Sequence, residues 1–472
     1  MALVGGRAYG PPDGKSSPPP IDNGAVRNIN HSLHHLCNKK DKKGKMSLDV
    51  NISEPDEFNC IELHNCIKSV ANIYNIEDFV YHVDIVCGKG ENYIANVFRV
   101  SINETNNEKN SVSVIVKTLI NTTRQDLFRE LHKREVYAYR NVIDKFVVLQ
   151  NDIVANERTI LPKYVFASTT KNNEVIILED LLLSGFVIES KFNKYEKLDY
   201  PQVRLILTEL AKFHALSFVF RKKDETNFEN LLDDFKDLIY QDKFLNKTKL
   251  RNYFQESYEM SLNLIKDTDA KKKLDKVKDY LLELLRMYTK PKRYNVFCHG
   301  DCWINNILFK DECFIKIENV NKLCFLDFQA MRYASPATDI LYFMYICTDS
   351  AFRSEYFEDL KTVYYNTFTN FLKQFNIEGN IVYPQEEFEK DITEMLPFGL
   401  LIALVELRIV TTRPEEETLS NDSTDADSTN DGTDINKAVP GSEKLYELRV
   451  NDVVDDSVNN GTLNQLLDLV KC

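Results

Sequence analysis

Apolar residues recur along the chain with two periods, and the change from one to the other divides it. From Phe79 onward the stretches FVYHVDIVC, NYIANVFRVSI and SVSVIVKTLI are rich in Val, Ile and aromatic residues. They read as three antiparallel strands, parted by Gly88-Lys89-Gly90-Glu91-Asn92 and by a polar hairpin over 103–110. A helix is predicted over 121–143, with Thr122 and Thr123 near its start, followed by two strands over 164–168 and 174–178. After Gly185 the pattern turns helical. Leu205, Leu207, Leu210, Phe213 and His214 mark one helix, and Leu274, Val277, Leu281, Leu284 and Tyr288 a second. The longest apolar run, 395–410, contains Pro397, Glu406 and Arg408 and predicts a buried helix, not a membrane span.

These elements predict an α+β protein of two lobes: a sheet-rich N-terminal lobe over 47–180 with one key helix, and a larger helical lobe over 181–472. A chain of 472 residues exceeds the roughly 250–300 at which a single core stops growing, which also favours two lobes. Two segments fall outside this scheme. Residues 1–46 open with a Gly, Pro and Ser-rich stretch, end in a Lys-rich cluster and carry too little apolar surface to offset their ordering entropy. A disordered tail is expected there, and Met46 is a conceivable alternative start. An acidic Asn/Asp/Ser/Thr stretch over 415–436 reads as a disordered insertion, after which Leu445, Leu448, Val454 and Val458 resume helical spacing.

The net charge of −13 arises largely in that insertion, which has no Lys or Arg. No basic patch points to nucleic acid, and none is expected as a partner. Ten cysteines at irregular spacing, with no C-x-x-C pair, and an N-terminus lacking a basic-then-apolar leader pattern predict a reduced, cytoplasmic setting.

The chemistry concentrates in VFCHGDCWINNILF, residues 296–309, where a strand-like run leads into His299-Gly300-Asp301 and Asn306 follows five residues after the Asp. In KLCFLDFQ a second apolar strand ends on Asp327. Asn306 and Asp327 offer hard oxygen ligands suited to Mg²⁺ with a bound nucleotide. Asp301 is then free to orient an attacking hydroxyl and accept its proton, the division of labour of kinase-type phosphoryl transfer. The first lobe holds matching parts. Lys117 closes the apolar VIVK run and can reach phosphate, Glu135 on the next helix can pair with it, and Gly88 and Gly90 allow a turn to approach phosphate without a Cβ in the way.

In this order the motifs resemble the kinase-like small-molecule phosphotransferases, the superfamily of choline kinases and aminoglycoside phosphotransferases. H-G-D-x-W-x-x-N-x-L-F, L-D-F-Q, I-L-E-D-L-x-x-x-G-F at 177–186 and G-x-G-E-N-Y are more closely similar to the ecdysteroid kinase-like (choline-kinase-like) family, over about residues 61–413. The resemblance implies a protein-kinase-like fold and use of ATP and Mg²⁺. It assigns Asp301 as base, Lys117 to phosphate, Asn306 and Asp327 to metal, Gly88, Gly90 and Asn92 to the nucleotide turn, and Glu179 to Leu181 to a hinge whose backbone meets adenine. The implied acceptor is a small-molecule alcohol of ecdysteroid type. The alternatives are a choline- or aminoglycoside-type kinase and a catalytically silent binding module. Protein-kinase activity is disfavoured, because His299-Gly300-Asp301 lacks the Arg of H-R-D, Gln329 replaces the Gly of D-F-G and no A-P-E follows.

Taken singly, several of these residues have plainer readings. Gly88-x-Gly90 is commonly an ordinary hairpin turn, and Lys117 or Glu135 alone would be solvated charges. His299 reads as a hydrogen-bonding support of the loop, His214 as a satisfied core histidine, and Asp339 as a brace for the catalytic loop. Trp303 is read as packed against the helical lobe. Cys298 and Cys302 are taken as packing residues, since no further zinc ligands lie near them in sequence.

Overall fold

The computed structural model describes residues 60–85, 95–105, 107–119, 125–171, 173–188, 198–248, 250–310, 322–411 and 443–470. The predicted tail, the Gly88/Gly90/Asn92 turn, Thr122 and Thr123, and the acidic insertion all lie outside these residues.

The alternating stretches form a five-stranded antiparallel sheet in the order β1-β2-β3-β5-β4. Its members are β1 (Phe79–Ile85), β2 (Ala95–Glu104), β3 (Asn107–Leu119), β4 (Tyr164–Thr170) and β5 (Asn173–Glu179). The polar hairpin expected over 103–110 is instead mostly strand: pairing runs through Asn103 opposite Ser111, then shifts register to Glu104 opposite Asn107. Asn and Glu at a strand end, where one face meets water, are compatible with the ladder despite their polarity.

Helix α1 (Cys60–Ile73), which the strand pattern gave no reason to expect, covers one face of the sheet. Its Leu63, Cys66, Ile67, Val70 and Ala71 form a buried cluster with Val100, Val114, Val116, Val175 and Ile177. Side chains on a strand alternate between faces. Burial of Val114 and Val116 under α1 therefore turns Lys117 to the opposite face of β3, where it sits between Val97 and Ile176.

That opposite face is lined by α2 (Gln125–Ala138). The helix expected over 121–143 is broken by a π-helical turn at Tyr139–Ile143 and then continues as α3 (Asp144–Leu149). Inserted π turns re-aim side chains. Here Tyr139 is fully buried, with its ring edge-on to Phe328 at 5.5 Å.

After the sheet, a 3₁₀ turn at Leu181–Ser184 ends on Gly185 at φ 82°, and a short strand β6 (Phe186–Ile188) follows where helix was expected. The helical region then comprises α4 (Tyr200–Lys223), α5 (Glu225–Leu232), α6 (Asp242–Thr248), α7 (Leu250–Leu264), α8 (Thr268–Asp275) and α9 (Leu281–Tyr288). The single helix expected through Leu274 to Tyr288 is interrupted by a 3₁₀ turn at Lys278–Tyr280. All five marker residues are nonetheless buried. The apolar spacing determined which face was covered, not which hydrogen-bond ladder ran through it.

Short strands carry the loops that matter most: β7 (Val296–Cys298), β8 (Ile307–Lys310), β9 (Leu323–Phe325) and β10 (Arg332–Ala334). β7 pairs with β10, and β8 lies between β6 and β9. Beyond them come α10 (Ala337–Cys347), α11 (Ser350–Lys373), α12 (Gly379–Val382), α13 (Gln385–Thr411), α14 (Glu443–Asn459) and α15 (Thr462–Val470). The apolar run over 395–410 is the buried part of α13, and among the described residues no helix is long and apolar enough to cross a membrane. On α14 the expected stripe was misplaced. Leu448 and Val458 are exposed, while Tyr446, Val450, Val453 and Val454 face the core. A residue between two apolar neighbours on a short helix can sit on either side of the stripe, and only tertiary packing decides.

Candidate active site

The catalytic loop is fastened from beneath. Asp339, near the start of α10, accepts the backbone N–H of His299 at 2.6 Å and of Gly300 at 3.0 Å. It also meets His214 Nε2 at 3.0 Å, and His214 Nδ1 lies 2.7 Å from the Tyr364 hydroxyl. Burial alone would raise the Asp339 carboxyl pKa, but His214, Arg332 and His299 hold it below the usual range. Asp339 is thus an ionised brace and His214 a satisfied core residue.

His299 supports the loop laterally. Its Nε2 donates to the Leu326 carbonyl at 2.8 Å, and its Nδ1 lies 3.3 Å from the Asp301 backbone nitrogen. Buried Arg332 donates to the Gly300 carbonyl at 3.2 Å, a contact that no motif announced.

Gly300 itself has φ 87°, and a Cβ there would lie 2.0 Å from the Ala330 carbonyl oxygen. Glycine is required both by conformation and by space. Gly300→Ala is expected to destabilise the protein by about 2–5 kcal/mol through combined strain and overpacking. Thermal unfolding checks this, and an unchanged midpoint with intact loop function would refute the steric account.

A 3₁₀ turn at Ile304–Asn306 carries Asn306 back toward Asp301. Its Nδ2 donates to the Asp301 carbonyl at 2.9 Å and to the Asp301 carboxylate at 3.0 Å. Both bonds use the amide nitrogen, so the amide oxygen faces away from Asp301. The Leu326 N–H donates to the Asn306 carbonyl at 2.8 Å, and this bond, continuing the β8–β9 ladder, sets the two distant motifs side by side.

Asp327 follows at φ 65°, ψ 67° in the left-handed region, which is unusual and costly for a residue with a Cβ. Such strain persists where surroundings over-determine it. Phe328, packed against Phe213, His299 and Tyr139, supplies that constraint.

The sheet meets this loop through Lys117. Its ammonium lies 2.8 Å from Glu135 and 2.9 Å from Asp327. Burial alone would lower the Lys117 pKa, yet Asp327 and Glu135 together raise it, so the group stays charged. Arg134, one residue before Glu135, donates to the Met331 carbonyl at 2.7 Å and pins α2 to the segment after Asp327. In Asp301 it is the charged form that is disfavoured. Burial and then the Asp327 charge push its carboxyl up, opposed by the Tyr342 hydroxyl donating at 2.8 Å, by His299 and by Asn306.

The structure therefore brings together Lys117, Glu135, Asp327, Asn306 and Asp301. Glu179 and Leu181 lie at the exit of β5, where Glu179 exchanges hydrogen bonds with the Lys163 backbone. The residue most firmly tied there is Asp180, bound by Arg99 and Ser113 at 2.7 Å each. Sequence reasoning also missed Tyr342, whose hydroxyl meets Asp301.

Trp303 is partly buried against the main core. Cys298, His214 and Asp339 bring three possible metal-ligand atoms within 4.8 Å of one another. Hydrogen bonds already occupy them: the Cys298 thiol donates to Ala334 and Ser335 carbonyls and accepts from Thr338. Burial, then the Asp339 charge, pushes that thiol pKa up, against the thiolate zinc needs.

The donor set suits Mg²⁺. Asp327 offers a carboxylate and Asn306 an outward amide oxygen, the hard oxygens that leave places for phosphate and water. Lys117 pairs directly with Asp327.

A lysine on the sheet held by a helix glutamate and facing the Asp327 carboxylate, beside a loop that carries Asp301 and an asparagine five residues on, defines the protein-kinase-like class of fold. The chain belongs to the ecdysteroid kinase-like family, which matches residues 89–377. This membership supports a small-molecule kinase. No curated protein is a detectable sequence relative. Among solved structures, an ethanolamine kinase of Plasmodium vivax is similar at 12% identity and a TM-score of 0.34, over 84% of this chain and 95% of that one. A glucosamine kinase is similar at 12% identity and a TM-score of 0.32, over 79% and 78% of the two chains. Neither likeness bears on the acceptor.

Proposed function

We propose that the protein is an ATP- and Mg²⁺-dependent kinase that transfers the γ-phosphate to a hydroxyl of a lipophilic small-molecule alcohol, with an ecdysteroid as the candidate acceptor. The observation that carries this reading is the approach of the Lys117–Glu135–Asp327 charge cluster to the loop that holds the Asp301–Asn306 pair, joined to it by the Leu326 to Asn306 backbone bond. Asp301 orients the acceptor hydroxyl and takes its proton, and its raised pKa makes it a better base than a solvent-exposed carboxylate. Lys117, held by Glu135, contacts the phosphates. Asn306 and Asp327 would hold the metal, which would supply positive charge to offset that of the phosphates. The acceptor class draws support from the family and from the loop's lack of an Arg that could read an activation-loop phosphate. A panel of ecdysteroid, choline and aminoglycoside alcohols, scored by acceptor-dependent ADP release, tests it. Ecdysteroid-dependent release is expected, and release stimulated only by the cationic alcohols would move the acceptor class.

A further inference from the structure

Helix α10 meets the catalytic loop through three side chains on one face. Thr338 donates to the Cys298 sulfur at 3.5 Å, Asp339 accepts the N–H groups of His299 and Gly300, and Tyr342 donates to Asp301 Oδ1 at 2.8 Å. Residues three and four apart on a helix share a face, so Thr338 and Asp339 necessarily lie one turn below Tyr342. The first two hold the base of the loop. Tyr342 alone reaches the side chain to which the phosphoryl transfer assigns the proton.

The helix that carries these groups is fixed at both ends. Every residue from Ala337 to Ile346 is buried. Arg449 of α14 donates to the Tyr345 and Ile346 carbonyls at 3.2 and 2.8 Å, satisfying groups that a helix C-terminus leaves open. Gly399 of α13 lets α10 approach closely, since a Cβ there would lie 2.8 Å from the Tyr345 ring. A side chain on such a helix is held more rigidly than one on a loop.

Asp301 therefore has one donor on each oxygen: the Tyr342 hydroxyl on Oδ1 and Asn306 Nδ2 on Oδ2 at 3.0 Å. The terminal torsion of an aspartate is broad, so a single bond would leave the carboxylate free to turn, whereas donors on both oxygens fix its plane. Asn306 belongs to the loop and also bonds the Asp301 carbonyl, so it moves with the group it holds. Tyr342 is anchored outside the loop. We propose that Tyr342 is a positioning residue: its hydroxyl sets the plane of the Asp301 carboxylate, so that a lone pair left free by the two donors faces the acceptor hydroxyl. This rests on the kinase reading of the site. Each carboxylate oxygen can accept more than one hydrogen bond, so neither donor blocks the proton acceptor. A tyrosine kept only for packing would be replaceable by phenylalanine without loss of turnover.

The test uses Tyr342→Phe, which removes the hydroxyl and keeps the ring, in the full-length protein and again in the Asp301→Asn background. Turnover is followed with whichever alcohol of the ecdysteroid, choline and aminoglycoside panel gives the fastest ADP release, at a temperature where thermal unfolding shows all four proteins folded. In the otherwise wild-type protein kcat should fall about 10- to 100-fold, the worth of a hydrogen bond to a charged group. Acceptor KM and calorimetric Mg²⁺–ATP affinity should stay within about threefold, since the contact matters to the reacting geometry and not to ground-state binding. In the Asp301→Asn background the same substitution should cost less than about twofold, because the base it orients is gone. A Phe variant with wild-type kcat, a loss confined to nucleotide affinity, or an equal loss in both backgrounds would each overturn this inference alone. No turnover by the wild type with any alcohol of the panel would overturn the kinase reading, and this inference with it.

Discussion

Asp301→Asn lowers kcat by a factor on the order of 10²–10⁴ while leaving the fold and most nucleotide affinity in place, the usual worth of a positioned general base. The substitution is isosteric. Asp301 accepts from Asn306 Nδ2 on one oxygen and from the Tyr342 hydroxyl on the other. An Asn can turn its oxygen toward Asn306 and its amide toward Tyr342, whose hydroxyl can rotate to accept. The loop therefore keeps its contacts and loses only the proton acceptor.

The wild type should also show an acid limb in kcat/KM. The base works ionised, and its folded pKa is raised by burial and by Asp327, so activity is lost on lowering the pH through a value above the ordinary carboxylate range. Residual activity in the Asn variant should lack that limb. A pH–rate series on both proteins checks the pair of expectations, and an Asn variant as active as wild type removes Asp301 from the role of base.

Asp327→Asn should be nearly as damaging, by a different route. Its carboxylate holds Lys117 at 2.9 Å and is proposed as a metal ligand. A neutral amide can neither balance the ammonium nor offset a divalent cation. Losing one partner of a buried charge cluster costs about 2–5 kcal/mol, on the order of 10²-fold or more in turnover. The loss should appear in Mg²⁺-dependent nucleotide affinity, measured by calorimetry with and without EDTA. An Asn variant whose affinity still responds to Mg²⁺ like wild type would contradict the ligand assignment.

Much of this site was legible because its determinants are local. Five-residue spacing within 296–309 fixes the relation of Asp301 to Asn306 through one 3₁₀ turn, and the strand ending at Asp327 carries its carboxylate to a loop. The pairing of Lys117 with Glu135 was readable from chain order, since a strand followed by a helix that packs on it leaves few places for either charge. Tyr342 was not readable in this way. It lies in a mostly apolar stretch of α10, and only the packing of that helix against the loop brings its hydroxyl to Asp301. Arg332 illustrates the opposite case. Its contact with the Gly300 carbonyl depends on the pairing of β10 with β7, a three-residue ladder too short to leave a periodic trace.

The central claim is that Asp301 and the Lys117–Asp327 cluster serve one phosphoryl transfer to a small alcohol. Its most direct test is mass spectrometry of an ecdysteroid incubated with Mg²⁺, ATP and either wild type or Asp301→Asn, with nucleotide binding verified in both preparations. The account predicts a phosphorylated steroid from wild type and essentially none from the variant. Nucleotide binding by both proteins with no phosphorylated product from either, or equal product from both, would contradict it.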